Sequence, residues 1–445
     1  MEGNASNKSL FQDYLSTGIY RFPNVNAVFL DPVRILNISY TNFSISPHLY
    51  YTRSLPNPCN GEEKKEEATG PKEQKDKKRK RKTNNSYVPN AKEELAHKRH
   101  MEVRPFLSSA YEAFLKEPSL LSILCSLKDN TVYTKADNAL VDNRQENDAL
   151  VDNKGENIPS FIELGKLWQA PLFEISFHRQ VREESVQGEI ALQEDKNVTC
   201  SLFNTLIENR SNDDAITECL SSCYILPRRS SFLMSDINQI RRLIPACPHD
   251  RFNLILVDPP WENKSVHRRS IYPTLPNRYL FSIPIRQLAH PEGALVALWV
   301  TNREKLRTFV EEELFPAWGI TYAASLYWLK VREDGHMISE LDLAHHKPYE
   351  CILVGYIHKQ GNDVGHKLIA KMPPDKHVVI SVPGDHSRKP PIGNLLLECT
   401  PGPKPVRGLE LFARELSAGW TSWGNEPLFF QQSRYFSDGR LQSID

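Results

Sequence analysis

Apolar side chains fall along this chain in several textures, and the most regular begins near residue 224. Asn253-Leu-Ile-Leu-Val257 and Ala294 to Val300 are short, nearly uniform apolar runs, of the kind that sits as a central strand buried on both faces. After Thr301-Asn302, a candidate N-cap, Leu306, Phe309, Val310 and Leu314 share one helical face while Glu304, Arg307 and Glu311 occupy the other. Further strands are predicted over 321–328, 351–356, 378–382 and 408–412, with a helix over 391–399. This alternation predicts an α/β domain across residues 224–432, built on a mostly parallel sheet covered by helices.

Upstream the pattern changes twice. Residues 1–56 form a small N-terminal segment in which Ala27-Val-Phe-Leu30 and Ile35-Leu-Asn-Ile-Ser39 predict a few strands. Residues 57–90 are polar, carry the basic run Lys77-Lys-Arg-Lys-Arg-Lys82 and predict a disordered charged linker. Residues 91–223 are expected to be a mainly helical accessory region, on the spacing of Tyr111, Phe114, Leu115 and Leu120. Within it, Asn138-Ala-Leu-Val-Asp-Asn-Arg-Gln-Glu-Asn147 is followed by the near copy Asp148 to Asn157. Two short acidic copies are too few and too polar for a solenoid, so 138–157 reads as a duplicated surface loop. Residues 433–445 are a tail.

Composition narrows the classes. The 445 residues are 40% apolar and 25% charged, with 55 basic and 55 acidic side chains, so any polyanionic partner must be met by local clusters. The first 20 residues lack the continuous apolar core of a secretory signal, and no apolar run is long enough to cross a bilayer. Eight cysteines are too sparse for a disulfide framework, and the close pair Cys219 and Cys223 lacks a second pair to complete a zinc site, so a reduced intracellular protein is expected.

The chemistry concentrates at Asp258-Pro-Pro-Trp261, directly after the apolar strand ending at Val257. Ligands of open parallel sheets bind outside the carboxyl ends of the strands, where this turn must lie. Pro259 and Pro260 fix two successive φ angles and remove two backbone donors, giving a stiff, acceptor-rich loop. An adenine exocyclic amine offers two N–H donors, which suit the Asp258 carboxylate and the Pro259 carbonyl, while the Trp261 indole can stack on the base or pack as core.

The full tetrapeptide resembles the catalytic signature of the MT-A70 family of N6-adenine methyltransferases. That resemblance implies a permuted, Rossmann-like methyltransferase domain using S-adenosyl-L-methionine, preceded here by the mixed N-terminal region. It implies the catalytic strand first, then a target-recognition segment, then the cofactor strand, and Glu410-Leu-Phe-Ala-Arg414 with Gly419-Trp-Thr-Ser-Trp-Gly-Asn425 stands at that last position. Asn425, Glu426 and Arg414 are implied beside the cofactor, with Glu426 where messenger-RNA-modifying relatives carry glutamine. Ser387-Arg-Lys-Pro390 resembles the Ser-His-Lys-Pro element, which makes Lys389 the cation for the methionine carboxylate and puts Arg388 in place of the histidine. Ser235-Asp-Ile237 resembles the loop that reads the cofactor adenine, implicating Asp236 and Ile237; a plain helix N-cap is the other reading. Asp258 is counted on the cofactor side as well.

The basic stretch Asn263-Lys-Ser-Val-His-Arg-Arg269 follows the turn as a phosphate-positioning loop would, so Asn263, Lys264, His267, Arg268 and Arg269 are candidate nucleic-acid contacts, or a solvated surface loop. The resemblance adds Glu350 on the target nucleoside. No metal is expected, because transfer from a sulfonium needs no Lewis acid and His336, His345 and His346 lack a completing carboxylate or thiolate. The segments quoted look most like a branch for which the resemblance implies N6-methylation of 2′-O-methyladenosine in a spliceosomal small nuclear RNA, with adenine in DNA as a second proposed substrate. A DNA methyltransferase and a catalytically weak nucleic-acid-binding scaffold are the alternatives. The run at 77–82 reads as a nuclear import signal, or as a tether for phosphate, so the nucleus is the expected compartment, with a cytosolic pool left open.

Overall fold

The computed structural model describes residues 2–51, 91–127, 160–178 except 168, 198–262, 275–343, 346–358, 373–385 and 388–438. The linker with its basic run, the duplicated loop, residues 263–269, His345, Ser387 and the last seven residues lie outside the described residues.

The α/β expectation is met by an 11-stranded sheet. Its central strands are Ser231–Met234, Trp420–Gly424, Gly408–Leu411, Leu254–Val257 and Ala294–Val300, all parallel to one another in that spatial order. Leu254–Val257 and Ala294–Val300 are buried at every position, as uniform apolar runs require of strands covered on both faces. Beyond Ala294–Val300 comes Tyr349–Ile357, antiparallel to it, then Thr321–Lys330 and His377–Ser381. This one reversal matters for function: it puts the beginning of Tyr349–Ile357 level with the ends of its parallel neighbours.

The N-terminal segment joins the same sheet through Ala27–Leu30, whereas Ile35-Leu-Asn-Ile-Ser39 is not a strand: Asp31 caps and Pro32 starts a helix over Pro32–Asn37. Ala27–Leu30 pairs in parallel with His377–Ser381, Val379 opposite Val28, and Ile19–Arg21 closes that edge. Leu206–Glu208 closes the other edge against Ser231–Met234. In the accessory stretch, Ala91–Leu115 and Pro118–Cys125 are helices. Residues 174–226 instead supply a four-stranded antiparallel sheet of Glu174–His178, Val198–Ser201, Ala215–Cys219 and Ser222–Leu226, so "mainly helical" does not describe this half. These strands are only four or five residues long and carry scattered apolar positions, too few to display a period of two.

The helix after Ala294–Val300 starts one residue later than the candidate cap, with Arg303 as N-cap, and widens to π geometry over Val310–Leu314 before a last α turn, Phe315–Trp318. Pro316 is the second residue of that turn, where a regular α ladder would drive its ring into the carbonyl four residues earlier. Asn302 does not cap the helix and instead donates its side-chain N–H to the Tyr349 carbonyl.

Candidate active site

Asp258 follows Val257 at the carboxyl end of the central sheet, its N–H donating to the Leu411 carbonyl of the next strand at 3.3 Å. The two prolines do not leave their carbonyls wholly free. Pro259 O accepts the Trp261 N–H at 2.8 Å and Pro260 O accepts the Leu275 N–H at 3.1 Å, so the turn is braced from within and each carbonyl keeps one lone pair. Trp261 is 7% exposed and its indole N–H donates to the Trp299 carbonyl at 2.8 Å. Its placement is that of a buried wall, which ties the turn to the neighbouring strand.

Glu350 reaches the same place because its strand runs backwards, and the Asn302 bond to Tyr349 pins that strand's first residue. One Glu350 oxygen is bound by Lys330 and the other lies 3.0 Å from Lys389 Nζ, which is also 3.8 Å from Asp258 Oδ1. Burial alone would push the Glu350 carboxyl up; the charges of Lys389 and Lys330 outweigh it and hold it down to about 2. Asp258 shifts the other way, raised by burial, with Lys389 pulling against and Glu350 adding to the rise. Two carboxyls with opposite shifts thus share one lysine, an arrangement typical of acid–base sites. Trp299 and Trp328 meet edge to face at 5.7 Å behind them, with the Lys330 ammonium 4.5 Å from the Trp328 ring.

A cleft of about 240 Å³ opens beside this cluster, lined by Asp258, Lys389, Glu410 and Arg414 and also by Ile35 and Ser39 of the N-terminal segment. Asp236, Ile237, Asn425 and Glu426 do not line it; they occupy the loops after Ser231–Met234 and Trp420–Gly424, next along the same sheet end. Those two loops are joined by Ser235 N–H to the Gly424 carbonyl, 3.1 Å, and by the Trp423 indole N–H to Ser235 Oγ, 2.9 Å. Asp236 caps the following 3-10 helix through Asn238 N–H and Gln239 N–H, and Ile237 begins it. Burial lowers the Arg414 pKa and raises that of Glu426, each partly offset by the other's charge.

Arg388 has a different role from its neighbour Lys389. It is buried, paired with Glu415 and held between the Tyr50 and Phe430 rings, 4.2 Å from each. Lys330, Trp299 and the Ile35–Ser39 wall are further parts of the site that sequence reasoning does not single out. Asn263, Lys264, His267, Arg268 and Arg269 lie outside the described residues. Among the described residues, no group of three or more His, Cys, Asp or Glu is placed to hold a metal ion.

Glu410 carries a pH dependence of its own. Burial, then Glu415 and Asp258, raise its carboxyl from 4.5 to about 8, against the pull of Arg388. A folded value above the unfolded one means stability that is full below about pH 4.5 and is lost as pH rises towards 8. Glu410→Gln is therefore expected to gain stability over wild type progressively between pH 5 and 8, with no difference at pH 4. Urea unfolding across that range checks it, and curves that stay parallel would refute it.

Residues 252–426 match the MT-A70 family model. The human "N(6)-adenine-specific methyltransferase METTL4" is 40% identical over 250 residues, covering 55% of this chain and 52% of its own. The "N6-methyladenosine RNA methyltransferase MTA1" of Pyricularia oryzae is 35% identical over 221 residues, 47% of this chain and 55% of its own. A Caenorhabditis elegans "DNA N6-methyl methyltransferase" is 34% identical over 222 residues, 48% and 56% respectively. The chain spans about half the length of the curated relatives it matches. The part of this chain that is similar to the MT-A70 family is therefore residues 252–426, with the Asp258-Pro-Pro-Trp261 turn near their start.

Proposed function

We propose that the protein is an S-adenosyl-L-methionine-dependent adenine N6-methyltransferase that acts on RNA. The observation that carries the reading is the meeting of Asp258, Glu350 and Lys389 over a braced turn at the carboxyl ends of parallel strands. The donor set fits the cofactor: a cation, Lys389, for its carboxylate, and Asn425 with the half-buried acid Glu426 just beyond a strand end, where one carboxylate can accept from both hydroxyls of a ribose. When bound, S-adenosyl-L-methionine supplies an electrophilic methyl group.

The chain's own residues do the rest. Asp258 accepts one N–H of the target amine and the remaining Pro259 lone pair the other, which directs the nitrogen lone pair away from both. Once methylated, the amine is strongly acidic, and Asp258, its carboxyl raised by burial, is suited to take the proton. Glu350, held ionised by two lysines, accepts from the nucleoside. Orientation of the amine supplies most of the rate. A target within a duplex must first be flipped out at a cost of about a few kcal/mol, which favours single-stranded or looped RNA.

The finer reading is N6-methylation of a 2′-O-methyladenosine in a spliceosomal small nuclear RNA, inside the nucleus. Matched oligonucleotides test it: one RNA with 2′-O-methyladenosine, the same RNA unmodified, and the same sequence as DNA. The 2′-O-methyl RNA is expected to have the highest kcat/KM, and equal values for the two RNAs would overturn that specificity. The name of the nematode relative favours DNA as the second reading, and faster methylation of the DNA strand would establish it. For the compartment, changing all six residues 77–82 to alanine is expected to exclude the protein from the nucleus without altering methylation by the purified enzyme. Persistent nuclear entry would remove the import role.

A further inference from the structure

The pairing around Glu350 is more elaborate than a single ion pair requires. Lys330 is the last residue of Thr321–Lys330 and Glu350 the second of Tyr349–Ile357, antiparallel neighbours in which Trp328 lies opposite Glu350. Lys330 takes Oε1 and Lys389 takes Oε2, so a carboxylate less than a quarter exposed has a cation for each oxygen. The lysines differ in what else they face. Lys389 turns towards Asp258, 3.8 Å away, and lines the cleft. Lys330 stands over the Trp328 ring and does not line the cleft.

A buried carboxylate that loses its only cation suffers a large penalty. If Lys389 alone compensated Glu350, any anion arriving in the cleft would have to draw Lys389 away at that cost. With Lys330 already on the other oxygen, Lys389 can give its charge to an incoming carboxylate while Glu350 stays compensated. We propose that Lys330 is a positioning residue which keeps Glu350 ionised and in place so that Lys389 is available to the cofactor carboxylate. Lys330 thereby couples the cofactor seat to the seat of the target nucleoside. This rests on the reading of Lys389 as the cofactor's cation.

Calorimetric titration of S-adenosyl-L-methionine into the full chain tests the coupling through a double-mutant cycle. Lys389→Met is expected to weaken binding by about tenfold or more, the size of one charge-assisted hydrogen bond. Lys330→Met is expected to weaken it by about tenfold although Lys330 does not touch the cofactor, and Lys330→Arg to restore most of the loss. In a Glu350→Gln background, where no charge needs a second cation, Lys330→Met is expected to cost almost nothing. Equal losses in both backgrounds would mean that Lys330 acts only through packing, and the proposal would fall. It would fall equally if Lys330→Met left binding intact while Lys389→Met weakened it. An unchanged affinity in Lys389→Met would overturn the assignment of Lys389 itself, a different failure visible in its own arm. Lys330→Gln replaces Lys330→Met if circular dichroism shows the latter unfolded at the assay temperature.

Discussion

Replacing Asp258 by alanine is expected to slow methyl transfer by about 10²–10⁴-fold, the usual worth of a positioned acid–base group, while leaving cofactor affinity nearly unchanged. The asymmetry follows from the charge arrangement. Asp258 is the group aimed at the amine, and its loss leaves Lys389 still 3.0 Å from Glu350 and still lining the cleft, so the cation assigned to the cofactor stays in place. The braced turn also survives, since Pro259, Pro260 and Trp261 are held by backbone and indole bonds that do not involve the Asp258 side chain. Single-turnover rates and calorimetry on the same preparation separate the two quantities. A loss of affinity as large as the loss of rate would show that Asp258 serves the cofactor first.

The largest effect on stability is expected at Arg388. Its guanidinium pairs with Glu415, Nε to Oε2 at 3.0 Å, with both side chains largely removed from water. Arg388→Met would leave Glu415 buried without that partner, a change that typically costs about 3–5 kcal/mol. It would also strip the cation from the Tyr50 and Phe430 rings, one contact between the N-terminal segment and the stretch carrying Lys389. Urea unfolding should show the loss, and the double variant Arg388→Met/Glu415→Gln should recover most of it. A single variant within about 1 kcal/mol of wild type would mean the pair is solvated and contributes as surface pairs do.

How far the sequence reveals this site depends on which physical signal each part leaves. The central strands are legible because burial on both faces demands uninterrupted apolar runs, and the turn after Val257 is legible because two prolines beside an acid are conspicuous. Direction leaves no such trace. Nothing in Tyr349-Glu-Cys-Ile-Leu-Val-Gly-Tyr-Ile357 says that it runs against its neighbours, yet that reversal alone brings Glu350 to Asp258, and only resemblance points there. Lys330 is inconspicuous for a related reason: one lysine ending an apolar strand looks like an ordinary exit to solvent. Ala27-Val-Phe-Leu30 reads as a strand, but its partner lies at 377–381, across most of the chain, and local patterning cannot announce a pairing so remote. Reading Arg388 through the histidine it replaces hides the partner that its longer, charged side chain finds in Glu415.

The central claim is transfer of a methyl group to adenine N6, and the product tests it directly. Wild-type protein is incubated with S-adenosyl-L-methionine carrying a deuterated methyl group and single-stranded RNA and DNA, followed by digestion to nucleosides and mass spectrometry. The label is expected on N6 of adenine nucleosides, most abundantly from RNA, and is expected to be absent with Asp258→Ala. Adenine nucleosides without label from both nucleic acids, with a wild-type protein that binds the cofactor, would contradict the claim.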